Sequence, residues 1–202
     1  MKLLFATNNA GKLKEVKGIL GPLGFEVVGL REAGLCVEVV EDGATFTENA
    51  LKKARELNKL SHLPVLADDT GLSVDSLGGF PGVRSARYAG EKATDADNNE
   101  KLLEELKGVP AEKRTAAFIC HMVFIGEGGT ELHAEGVLKG KILEEKRGSG
   151  GFGYDPLFVP EGETKTLADM ELSEKNLISH RRKALDQLAK SLRTRSKFKA
   201  NR

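Results

Sequence analysis

The chain predicts an α/β fold: a long twisted mixed β-sheet flanked by helices, split into two lobes around a central cleft. Three observations lead there. Leu3-Leu4-Phe5-Ala6 is a short apolar run followed by Leu13, Val16 and Leu20 at helical spacing, which reads as a strand feeding a helix. Val65-Leu66-Ala67 is a second apolar run without helical spacing, a buried strand ending in Asp68-Asp69, with Gly71 able to turn the chain. Thr115 to Ile125 alternates as one long strand; Gly126-Glu127-Gly128-Gly129 turns it back, and Glu131 to Leu143 is its expected antiparallel partner. Strand order does not follow from these patterns.

Bulk properties narrow the classes. The 202 residues suit one domain, expected as a two-lobed unit over 1–193 with a basic tail at 194–202. An apolar share of 40% is that of a globular chain, and 31 basic against 30 acidic residues leave no field that would draw nucleic acid or a membrane. Cys36 and Cys120 lack metal-site spacing and read as free, buried thiols of a reducing compartment. The N-terminus is too short for a signal peptide and no run approaches 18 apolar residues, so a cytoplasmic location is expected.

In chain order, the turn Thr7-Asn8-Asn9-Ala10-Gly11-Lys12 leads from the first strand into a helix N-terminus. Free backbone N–H groups and a partial positive charge there suit phosphate, with Thr7 and Asn9 adding donors and Lys12 a full charge. It is not a Walker A loop: Ala6 stands where the first glycine belongs and Leu13 where a magnesium-binding hydroxyl belongs. A capped helix start with a solvated lysine is the alternative. Glu26-Val27-Val28 is the next strand. Thr45 and Glu48 then form a capping box for a helix burying Ala50, Ala54 and Leu57. Lys52, Lys53 and Arg55 read mostly as its wet face, although Lys53 stands one turn from Asn49. Glu41, just ahead of the cap, is either surface charge or a metal ligand facing residues 68 and 69.

Asp68 and Asp69 carry two readings. Adjacent strand residues point to opposite faces, so one acid can face a ligand while the other is held from behind. The alternative is an Asx-type turn capping the strand. Gly71 to Leu77 is an alternating strand with Leu72 and Val74 on one face, Gly78 to Gly82 is a turn, and Thr94 to Lys107 is a helix with Leu102, Leu103 and Leu106 inward and Gly108 past its end. Residues 148 to 153 spell G-x-G-x-x-G, but no helix follows, which argues against a dinucleotide fold. The better reading is a loop whose glycines let backbone approach a flat ligand, with Phe152 or Tyr154 stacking on it and Asp155 accepting hydrogen bonds. Finally, Ser179 is a candidate N-cap for a helix burying Ala184, Leu185, Leu188 and Leu192. His180 and Arg181 then occupy the first turn, an unfavourable place for cations unless an anion or a specific contact holds them. Arg195, Lys197, Lys199 and Arg202, with no acid among them, read as a disordered end.

Together, Thr7-x-Asn9-x-x-Lys12, Asp68-Asp69-Thr70-Gly71, Phe152-Gly153-Tyr154-Asp155 and Ser179-His180-Arg181 resemble the non-standard purine NTP pyrophosphatases, the inosine triphosphatase or XTP/dITP diphosphatase enzymes. The likeness runs from Leu3 to about Leu192. It implies an inosine triphosphatase-like fold and a homodimer. It also implies Mg2+-dependent hydrolysis of dITP, ITP and XTP to the monophosphate and pyrophosphate. Residue by residue, it implies phosphate contacts from Thr7, Asn8, Asn9, Ala10, Gly11 and Lys12, with Lys53 and Thr70 also at the substrate. Mg2+ falls to Glu41 and Asp69. Asp69 is the proton acceptor, supported by Asp68. Phe152 stacks on the base, and Gly153, Tyr154, Asp155, Lys175, Ser179, His180 and Arg181 complete the nucleotide pocket.

Physical chemistry runs alongside that mapping. Mg2+ takes one or two carboxylates plus substrate phosphates, and an adjacent carboxylate can deprotonate water. Donors aimed at a 6-oxo group, such as His180 and Arg181, would reject adenine. Two other classes stand beside it: a pyrophosphatase for a modified pyrimidine triphosphate, and a non-catalytic nucleotide- or RNA-binding module. The first is disfavoured by Ser179-His180-Arg181, the second by near-zero net charge.

Overall fold

The computed structural model describes residues 1–200; the side chains of residues 127 and 193–200 lie outside that description. In order, the elements are β1 (Lys2–Phe5), α1 (Ala10–Leu20), β2 (Glu26–Val28), α2 (Phe46–Ser61), β3 (Val65–Val74), α3 (Asp95–Glu105), β4 (Thr115–Ile125), β5 (Glu131–Ile142), β6 (Phe158–Pro160), α4 (Leu172–Ile178) and α5 (His180–Ala200). The six strands form one sheet in the order β2-β1-β3-β4-β5-β6. It is mixed, as predicted: β1 is parallel to β2 and β3, with Leu4 opposite Val65 and Phe5 opposite Leu66, while β5 and β6 are antiparallel.

The chain divides into two compact units, the first comprising Met1–Asp69, Cys120–Gly136 and His180–Arg202, the second Thr70–Ile119 and Val137–Ser179. Within the first unit, strand alternation sorts the core into two layers. Leu3, Phe5 and Leu66 pack with Val16, Ile19 and Leu20 of α1 and Ala184, Leu185 and Leu188 of α5. Leu4, Val65 and Ala67 pack instead with Ala50, Ala54 and Leu57 of α2. Each fully buried leucine contributes about 1.5–3 kcal/mol. The start of α5 is pressed onto β5 at Gly136, where a Cβ would lie 2.0 Å from the His180 carbonyl oxygen and 2.5 Å from the Ala184 nitrogen. Only glycine allows that approach.

In the second unit, Leu72 and Val74 of β3 pack with Leu102 and Leu106 of the α3 region, Phe118, Leu138, Tyr154, Leu157 and Phe158. Arg114 is buried there with its guanidinium donating to the carbonyls of Leu106, Val109 and Leu143 at 2.8, 2.9 and 3.1 Å. Its charge is thus solvated by backbone.

Several expectations change. The run ending in Asp68-Asp69 and the alternating segment from Gly71 are one strand, β3, in which Leu72 and Val74 are buried; it stops at Val74, and Asp75–Leu77 form a short 3-10 turn instead of continuing it. Cys120 is buried, but Cys36 is exposed: in the irregular stretch before α2, Leu35 and Val37 on either side of it pack inward instead. The stretch expected as a disordered end continues α5 as far as Ala200, since residues 194–200 contain neither glycine nor proline and its lysines and arginine favour helix. Residues 201 and 202 of that tail lie outside the described residues. Among the described residues, no helix is long and apolar enough to cross a membrane.

Candidate active site

The candidate residues of the first unit gather past the end of β1, around the middle of β3. Thr7 and Asn9 build the entry to α1: the Asn9 N–H donates to Thr7 Oγ1 at 3.1 Å, and Asn9, the N-cap, accepts from the Lys12 N–H at 2.9 Å. The side-chain oxygens are therefore used locally as acceptors. The Thr7 hydroxyl and the Asn9 amide also carry donor hydrogens.

Asp68 shares the α1/α5 side of β3. It is wholly buried, and its carboxylate accepts from Arg181 Nε at 3.1 Å and lies 3.2 Å from Lys12 Nζ. Arg181 also donates from Nη1 to Glu15 Oε2 at 2.7 Å, and Glu15 is itself wholly buried on α1. Burial works against the Arg181 charge, but Glu15 and Asp68 outweigh it and hold its pKa above the usual arginine value. This explains a cation in the first turn of α5: the contact expected there is a pair of carboxylates from two other elements. The Arg181 side chain is 1% exposed, and its Nε and Nη1 donate to these carboxylates.

Asp69 faces the α2 side. Asn49 Nδ2 donates to its Oδ2 at 2.9 Å, while Asn49 Oδ1 accepts from the Gly43 N–H at 2.8 Å, so a fixed loop orients the amide. The Thr45–Glu48 capping box sets where α2 begins and hence where Asn49 stands. Lys53, one turn on, is not on the wet face; it is 7% exposed, donates to the Asp68 carbonyl at 2.5 Å and pairs with Glu41 at 3.0 Å. Burial raises the pKa of Asp69 above the ordinary aspartate value; Lys53 opposes the shift, and Glu41 adds to it. A carboxyl held there takes up a proton more readily than a surface aspartate.

Among the described residues, no group of three or more His, Cys, Asp or Glu side chains is arranged to hold a metal. Glu41 and Asp69 are both carboxylates within reach of Lys53. Such an oxygen-only pair fits a hard divalent cation that draws its remaining ligands from water and phosphate.

The second unit gathers the glycine-rich loop. Lys175 and Asp155 form a buried ion pair at 2.6 Å, and Lys175 Nζ also sits 4.4 Å from the centre of the Phe152 ring. Asp155 Oδ2 accepts from the Phe152 N–H at 2.9 Å, closing the turn. Asp155 is thus engaged by protein donors. Tyr154 is 4% exposed, packs in the core and donates from its hydroxyl to the Ser85 carbonyl at 2.9 Å. Of the two aromatics named as stackers, Tyr154 is an anchor, and half-buried Phe152 is the one whose ring can meet a ligand. Ser179, at φ −60° and ψ 153°, ends α4 in extended backbone just before α5 begins with His180. Thr70 continues β3 beyond Asp69.

Sequence reasoning missed Glu15, whose only mark was a carboxylate on the inward side of an amphipathic helix. It also missed Asp95 and Asn99, which bond Gly153 from α3.

Residues 3–191 match the Ham1 family model. A dITP/XTP pyrophosphatase of Clostridium perfringens is 50% identical over 198 residues, covering 95% of this chain and 97% of that protein. One from Bacillus subtilis is 50% identical, covering 94% and 96%. A solved Ham1 protein of Staphylococcus aureus superposes with a TM-score of 0.83 at 38% identity, covering 96% of this chain and all of that one. The chain belongs to the Ham1 family.

Proposed function

We propose that this protein hydrolyses dITP, ITP and XTP to the nucleoside monophosphate and pyrophosphate. What carries the reading is Asp69, a buried carboxyl of raised pKa held by Asn49 and flanked by Lys53 and Glu41. The names borne by relatives of about half-identical sequence support the same substrate class. The residues of the first unit take the triphosphate. The N-terminus of α1, with Thr7, Asn8, Asn9, Ala10, Gly11 and Lys12, binds phosphate oxygens through backbone N–H groups and charge. Lys53 and Thr70 add to that grip.

Glu41 and Asp69 would hold Mg2+, which when bound neutralises phosphate charge. Asp69 accepts the proton of a water whose oxygen forms a bond to the α-phosphorus, while the bond from that phosphorus to the bridging oxygen breaks and pyrophosphate departs. Asp68, fixed by Arg181 and Lys12, keeps β3 and the α1 entry in register. Phe152 stacks on the base with Lys175 behind it, and Gly153, Tyr154 and Asp155 shape that platform. Ser179, His180 and Arg181 serve the 6-oxo group, which adenine lacks. We also propose a homodimer in the cytoplasm, with 1–193 as the functional domain and no nucleic-acid partner.

The test is a panel. The purified protein is incubated with dITP, XTP, dATP, dGTP and dUTP, with and without Mg2+, and the products are separated. Monophosphate and pyrophosphate from dITP and XTP alone, lost on chelation, is the expected result. Orthophosphate release, or equal turnover of every triphosphate, would overturn the reading.

A further inference from the structure

Phe152 is carried on a stretch in which Gly148, Gly151 and Gly153 have φ of +80°, +74° and +62°. Glycine backbone of this kind has many accessible conformations, so an aromatic ring on it keeps one plane only if the neighbouring peptides are held. Helix α3 holds them. Asp95 opens that helix after the Thr94 cap, and Asn99 stands one turn further on the same face. The Gly153 N–H donates to Asp95 Oδ2 at 2.7 Å, and the Gly153 carbonyl accepts from Asn99 Nδ2 at 2.9 Å. Asn99 Nδ2 also donates to the Asp95 carbonyl at 2.6 Å, tying the two anchors together. One helix thereby takes both polar groups of the residue that follows Phe152.

The chemistry of the two anchors points to design for this contact. Asp95 accepts through a carboxylate, which makes its bond charge-assisted, and it sits in the first helical turn, where negative charge is favoured. Asn99 is 3% exposed, and its Oδ1 has no hydrogen-bond partner among the described residues. Burying an amide with one end unsatisfied is costly, and an apolar residue of the same size would avoid that cost. Asn99 is therefore there for its donor.

We infer that Asp95 and Asn99 are positioning residues that hold the Phe152 ring in the plane a purine base stacks on, and so set affinity for the base. The inference rests on the reading of Phe152 as the base platform. KM and kcat for dITP, together with inhibition by inorganic triphosphate, are measured for Asp95→Ala, Asn99→Ala, Phe152→Ala and the Asp95→Ala/Phe152→Ala double variant. Losing one such bond raises KM about three- to tenfold with kcat nearly unchanged. Inhibition by inorganic triphosphate, which has no base, stays at its parent value. Asp95→Ala adds nothing once the Phe152 ring is gone. Asp95→Asn, which keeps an acceptor oxygen, recovers most of the affinity.

Fully additive effects in the double variant, or an equal loss of triphosphate affinity, would overturn the positioning role while leaving Phe152 as the platform. An unchanged KM in Phe152→Ala would instead overturn the platform reading and this inference with it. Thermal melting checks that each variant is folded; if Asp95→Ala is not, Asn99→Ala and its double with Phe152→Ala carry the same comparison.

Discussion

Asp68 and Asp69 are covalent neighbours in β3, yet they meet opposite environments. On the α1/α5 side, Asp68 is sealed and answered by two cations, Arg181 and Lys12, with Glu15 balancing the guanidinium from behind. On the α2 side, Asp69 receives a neutral amide hydrogen bond from Asn49, while Lys53 divides itself between Glu41 and the backbone of residue 68. For Asp69 burial wins and its proton affinity rises. A period of two along the strand therefore separates an acid held by cations from one of raised proton affinity within a single peptide bond.

The comparison is broken most forcefully at Arg181. Arg181→Ala leaves two buried carboxylates without their shared cation, and removing one partner of a buried ion pair costs about 3–5 kcal/mol. Urea unfolding should register that loss, and Arg181→Lys should recover only part of it, because an ammonium cannot serve both acids in a fixed fork. A loss below about 1 kcal/mol would mean the triad does not brace β3.

A smaller effect is expected at the opposite face. Thr45→Ala removes one half of the capping box that positions Asn49 and Lys53, at about 1 kcal/mol, or roughly 2–4 °C in Tm for a chain of this size. The smallest expected change has the opposite sign. The folded-state pKa of Asp69 lies above its unfolded value, so the native state disfavours the carboxylate. This penalty is absent below the ordinary aspartate pKa and complete once the pH exceeds the raised value. In chelator at neutral pH, Asp69→Asn should therefore be slightly more stable than its parent, with the difference shrinking as the pH falls towards the ordinary aspartate range. A destabilised variant at neutral pH would contradict it.

Much of this was legible in the sequence because it is local. The Thr45–Glu48 box, the strand at 115–125 and the buried face of Ala50, Ala54 and Leu57 all follow from spacings of two to four residues, and each appears in the structure. The opposite orientation of the two acids likewise followed from strand geometry. What escaped depends on residues far apart in the chain. Glu15 looks like any helical glutamate until Arg181, 166 positions later, meets it. Asp95 looks like an ordinary first-turn acid until Gly153, 58 positions later, donates to it. Val65 to Ala67 and the alternating segment from Gly71 read as separate strands because a glycine after two acids can turn the chain; the burial of Leu72 and Val74 shows them to be one. Lys53 stands one turn from Asn49, and that spacing is what marks it out from the wet-face reading of its neighbours.

The most direct test of the account is dITP turnover by Asp69→Asn in the presence of Mg2+, with folding verified by urea denaturation. Loss of the general base alone predicts a fall of about 10² to 10⁴ in kcat in a protein that remains folded. Turnover near the parent rate would show that the reactive acid is not Asp69, and the division between the two faces of β3 would have to be abandoned.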